Sequence, residues 1–103
     1  MSFWIAAAQM SLRLPYAGSL KDRRQVVRSI TEGVRGRFAI SAADLGPEGA
    51  HNAAELGFSA AGSSAAELDE RMRNLEKFIY QREEEGEFTV VAFSMEVFKY
   101  GDL

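Results

Sequence analysis

The run Ser64-Ala65-Ala66-Glu67-Leu68-Asp69-Glu70-Arg71-Met72-Arg73-Asn74-Leu75-Glu76-Lys77-Phe78-Ile79 carries the clearest periodicity in the chain. Leu68, Met72, Leu75 and Ile79 recur at spacings of four, three and four, which is one apolar stripe at helical period. Ser64 with Glu67 forms a capping box ahead of it. Fully burying one such Leu is worth roughly 1.5–3 kcal/mol, so this helix needs a sheet to lie on. The flanks supply strands. Upstream, Ala54, Leu56, Phe58 and Ala60 alternate with Glu55, Gly57, Ser59 and Ala61, and Gly62-Ser63-Ser64 ends the run. Downstream, Glu83-Glu84-Glu85-Gly86 is a solvated exit into a last strand over 87–100, where Val91, Phe93, Met95 and Val97 are the expected inner face.

The first half repeats this plan with a different sequence. Residues 3–14 suit a strand, with Trp4, Ala6, Ala8, Met10, Leu12 and Leu14 on one side. Pro15-Tyr16-Ala17-Gly18 breaks it. Ser19 caps a helix with Asp22 three residues on, and Leu20, Val27, Ile30 and Val34, widened by Val26, form its stripe. Gly36 is the expected C-cap. Phe38, Ile40 and Ala42 alternate with Ala39, Ser41 and Ala43 as a short strand, before the loop Gly46-Pro47-Glu48-Gly49, which extends towards Asn52. The order is βαββαβ. It predicts one α+β domain over 1–103, a ferredoxin-like split βαβ with a four-stranded antiparallel sheet and two helices on one face. Right-handed crossovers put the first and third strands in the middle.

Composition narrows the chemistry. The chain has 103 residues, a net charge of −3, one His and no Cys. Disulfide scaffolds, zinc ribbons, thiol nucleophiles and iron–sulfur sites are thereby excluded. The apolar opening Phe3-Trp4-Ile5-Ala6-Ala7-Ala8 has no basic residue before it and stops at Gln9, unlike a signal peptide. Nothing approaches the ~18 apolar residues of a membrane span. A cytoplasmic protein with no membrane contact is the expectation. His51, in the Gly/Pro loop near Asp44 and Glu48, has no recognised ligand spacing. No phosphate-cradling glycine motif occurs, and nothing local suggests a Ser–His–Asp set. The chain reads as no enzyme, with no cofactor, no metal and no catalytic residues.

Two surfaces remain. On the bare sheet face, Glu55, Gly57, Ser59 and Ala61 offer nothing that stacks on bases, so the aromatic RNA-binding mode of this fold is not expected. Phe3, Ile5, Val90 and Phe98 would share that face, and a contiguous apolar patch of this kind marks protein contact. A homodimer through the open sheet is one reading of it; an ordinary half-apolar face with aliphatic cover from Glu96 and Gln9 is the other. Charge marks the other surface. Residues 21–37 hold Lys21, Arg23, Arg24, Arg28, Arg35 and Arg37 against Asp22 and Glu32, a net of +4, while the remainder nets −7. Lys21, Arg24, Arg28 and Arg35 fall in one row on the helix flank, and Arg13 and Arg37 are expected to extend it. Guanidinium groups suit phosphate. Free N–H groups at the helix start, Ser19-Leu20-Lys21, would add an anion site. Contact with RNA or the ribosome is the partner expectation from this surface; a solvated helix face paired with acidic loops is the other reading.

Leu12-Arg13-Leu14-Pro15 running into Ser19-Leu20-Lys21-Asp22-Arg23-Arg24 resembles the YlxP-like family of small uncharacterised bacterial proteins. The likeness continues through Val26-Val27, Arg37-Phe38, Asp44 and Leu56-Gly57-Phe58. Tyr16, where glycine is frequent, and the 46–52 loop, which lacks an aromatic, depart from it. The resemblance implies a ferredoxin-like fold, no established activity or cofactor, and a genomic neighbourhood of translation initiation and ribosome maturation factors.

Overall fold

A computed structural model of the chain describes residues 2–101. The elements are β1 (Ser2–Arg13), α1 (Leu20–Phe38), β2 (Ser41–Gly46), β3 (Ala53–Gly62), α2 (Ala65–Glu83) and β4 (Thr89–Gly101). The strand order is β2-β3-β1-β4, and every neighbouring pair is antiparallel. β1 and β3 are therefore central, as the βαββαβ order demands, and the topology is ferredoxin-like.

Alternation sorts the side chains. Ala6, Ala8, Met10 and Leu12 of β1 and Ala54, Leu56 and Phe58 of β3 are buried beneath the helices. Their register places Met10 opposite Leu56 and Ala8 opposite Phe58. From above, α2 inserts Leu68, Met72, Leu75 and Ile79, and α1 inserts Val27, Ile30 and Val34. All belong to one core cluster. Both helices start on a serine. Ser19 Oγ accepts from the Asp22 N–H at 3.1 Å, and Ser64 Oγ accepts from the Glu67 N–H at 3.3 Å.

Two expectations are corrected. Gly36 does not end α1, which runs on to Phe38, and Ala39 takes the left-handed cap with φ 54°. An interior Gly costs a helix up to about 1 kcal/mol against Ala. Phe38 offsets it by packing edge-on against Phe78, with centroids 5.5 Å apart. The second strand accordingly starts at Ser41. The other correction concerns β4. Its pairing with β1 passes from Ser11↔Ala92 to Leu12↔Val90, so Val91 is the additional residue of a bulge. One inserted residue inverts the in–out alternation. Val91, expected inside, is 56% exposed, while Val90 packs against the core. Beyond the bulge Phe93, Met95 and Val97 face the core as expected.

Candidate anion-binding face of the first helix

The cations of α1 divide by helical angle. At 3.6 residues per turn, Lys21, Arg24, Arg28 and Arg35 lie within roughly 60° of one another, on the flank away from α2. All four are exposed. Lys21, Arg24 and Arg28 line an open groove with Gln25, Ser29 and Glu32. None of those three cations makes a hydrogen bond or ion pair to another side chain among the described residues. Arg35 keeps its place in the row but is tethered, donating to the carbonyl of Ala42 on the edge strand β2 at 2.6 Å.

Arg23 leaves the row. It points inward, is 5% exposed, and gives four hydrogen bonds to the chain itself. Nη1 and Nη2 grip the Asp44 carboxylate at 2.7 and 2.9 Å. Nη2 also reaches the Gly46 carbonyl at 2.9 Å, and Nε the Ala53 carbonyl at 2.8 Å. The result is a staple joining the start of α1 to the end of β2 and the start of β3. The bidentate guanidinium and the Gly46 N–H hold the Asp44 carboxyl below its usual range, against a smaller opposing effect of burial. The Arg23 guanidinium is in turn pushed further towards the protonated form by the same hydrogen bonds. The expectation that Arg23 meets phosphate is corrected: the guanidinium is buried, with four of its five N–H donors held by the chain.

Other expected members fall elsewhere. Arg13 stands among the outward-facing residues of β1, on the side of the sheet opposite the helices, and does not extend the row. Arg37 lies at the α2 side of α1, its guanidinium 5.3 Å from the Phe78 ring centroid. At Ser19 and Leu20 an anion is already present. Asp22 Oδ2 accepts from the Gly18 N–H at 3.0 Å, so its carboxylate sits at the helix start and opposes a second negative charge.

The open sheet face keeps Phe3, Ile5 and Phe98 but loses Val90 to the core through the bulge. Tyr100 takes that place in the patch, with its ring centroid 5.4 Å from that of Phe3. Further along, Glu55 accepts from Ser11 Oγ at 2.7 and 2.8 Å. His51 donates from Nδ1 to the Ala17 carbonyl at 2.7 Å, which ties the 46–52 loop to the turn after β1. Sequence reasoning missed the Asp44–Arg23 pair. The available signal was an acidic residue at the end of a strand facing a helix start across the sheet edge.

No helix among the described residues is long and apolar enough to cross a membrane. A family model described as a protein of unknown function (DUF503) matches residues 5–93. No curated protein matches the chain.

Proposed function

The chain belongs to the DUF503 family of unknown function, and from that premise we propose that it is a non-enzymatic cytoplasmic protein that docks on structured RNA, as in the ribosome, through Lys21, Arg24 and Arg28. One observation carries this reading: three exposed cations share one helix face, and none is engaged by a carboxylate among the described residues. Their positions along the helix are three and four residues apart, or about 4.5 and 6 Å of rise, which suits successive phosphates along a backbone. No aromatic lines the groove, so the contact reads backbone charge and not base identity. The resemblance of Leu12–Arg24 to the YlxP-like family, with its translation-factor neighbourhood, points to the same class of partner.

The test is a titration of labelled ribosomal RNA fragments with wild type and an Arg24→Glu/Arg28→Glu variant, with polyphosphate as competitor. Neutralising three phosphates predicts a roughly 40-fold loss of affinity between ~50 and ~200 mM salt, from a slope near −0.9 per contact. The variant should bind far more weakly at low salt. Equal binding by the two proteins sinks the proposal, and full displacement by polyphosphate reduces it to adventitious polyanion binding.

A second reading is self-association of the sheet. It is supported by the contiguous Phe3, Ile5, Phe98 and Tyr100 patch, in which Phe3 and Tyr100 are 41% and 60% exposed.

A further inference from the structure

The sheet has two edges, and they are finished differently. β2 is six residues long, its Ala42 carbonyl is held by Arg35, and its pairing with β3 shifts register between Asp44 and Gly46. β4 is thirteen residues long, contains no proline, and has only Glu96 and Lys99 as charges. Native sheets blunt their edges with short strands, charges, proline or cover, because an open edge is a template for another strand. By that measure β2 is guarded along its whole length, whereas β4 has its one bulge at Val91 and runs on in regular register from Ala92 to Gly101. Along β4 the exposed apolar side chains are Val91, Phe98 and Tyr100.

The chain's own β4 fits this edge. A two-fold axis perpendicular to the sheet pairs a strand antiparallel with its copy and keeps the helices on one side. Side chains directly opposite then share a face, so the axis passes through a residue. Through Glu96 it would oppose two carboxylates. Through Met95 it sets Glu96 opposite Ser94, Phe93 opposite Val97 and Phe98 opposite Ala92, with no like charges facing. The same operation lays α2 antiparallel to its copy above the seam. The α2 surface carrying Arg73, Glu76, Lys77 and Tyr80 forms an open groove, and Arg73 is already in register with Asp69 at 2.8 Å. Acidic and basic residues alternate along it, so an inverted copy meets opposite charges.

We propose that a second copy of this chain pairs along β4 about Met95, joining two four-stranded sheets into one of eight strands with four helices on one face. This shares with the self-association reading above only the premise that the chain dimerises, and moves the contact from the open face to the β4 edge. Sedimentation equilibrium at tens of micromolar, roughly the range in which a modest interface is populated, tests both. Wild type should be dimeric. An Arg73→Glu/Lys77→Glu variant, which makes the α2 seam acidic, should dimerise at least about tenfold more weakly. Ile5→Lys, on the central strand's open face, should dimerise as wild type does. A dimer broken by Ile5→Lys and not by the α2 variant overturns the edge and leaves self-association through the open face. A wild-type monomer overturns both. Amide exchange covers the case in which a variant misfolds. In wild type, protection at Ser94–Val97 that rises with protein concentration supports the seam, and concentration-independent exchange refutes it.

Discussion

Arg23 and Arg24 are neighbours of one type with opposite duties, and the difference is a matter of helical angle. One residue of rotation carries Arg23 under the helix onto Asp44 and leaves Arg24 in water. The Ser19-Leu20-Lys21-Asp22-Arg23-Arg24 run thus divides into a cap, a carboxylate that closes the cap, a buried staple and two outward cations. Sequence shows six cations in a segment but does not show which of them meets a carboxylate 21 residues away, since that depends on how β2 ends. Removing the carboxylate should be costly. Asp44→Ala leaves a buried guanidinium held only by the Ala53 and Gly46 carbonyls. Breaking a fully buried pair costs roughly 3–5 kcal/mol, and because Asp44 is partly open to water about 2 kcal/mol is expected here. Arg24→Ala should cost under ~0.5 kcal/mol, as exposed substitutions do. Urea unfolding of both variants measures the contrast. The pH dependence has a definite sign. Asp44 is depressed in the folded state, so the stability it contributes is complete above the ordinary Asp range and is lost as pH falls through its lowered value. The gap in urea midpoint between wild type and Asp44→Ala should therefore narrow in acid, below about pH 4.

At the scale of elements, the stripes of α1 and α2 and the alternation of β1 and β3 were legible because each is a repeated signal over many residues. Single-residue events were not. The bulge at Val91 has no glycine or proline to mark it, and it places Val90 opposite Leu12 where continuous register would place Val91, an identical side chain that leaves no trace in the sequence. The end of α1 was misread for a related reason. Gly36 is a good stop signal locally, but the Phe38–Phe78 contact extends the helix past it. The two glycines of α1 then separate by environment. A Cβ at Gly36 meets nothing within 4 Å, whereas one at Gly33 comes within 3.1 Å of Phe78 Cζ. Gly36→Ala should therefore stabilise the protein by about 0.5–1 kcal/mol through helix propensity and reduced unfolded-state entropy. Gly33→Ala should gain less or lose, because the Phe78 ring it displaces is already set against Phe38 and Arg37. Thermal unfolding of the pair checks this, and equal stabilisation by both would show that the helices separate easily.

Over the whole molecule the sign imbalance seen in sequence survives folding, though with fewer members. The segment 21–37 nets +4 in a chain of net −3. Pairing of the buried Arg23 with the partly exposed Asp44 neutralises one cation of the segment against one carboxylate outside it, so the asymmetry narrows but keeps its sign, while the contact set shrinks to Lys21, Arg24 and Arg28, with Arg35 tethered beside them. A surface cation and a buried one affect binding through different quantities. Arg24→Ala deletes one phosphate contact, so the slope of log affinity against log salt should become shallower by about 0.9 while stability is unchanged. Replacing Arg23 with Met fills the same space with an apolar chain; it should change stability and leave the salt slope of the folded protein as it was. The slope thus counts the phosphates met by exposed groups only. A change of slope in the Arg23 variant, or none in the Arg24 variant, would place the polyanion contact somewhere other than the outer face of α1.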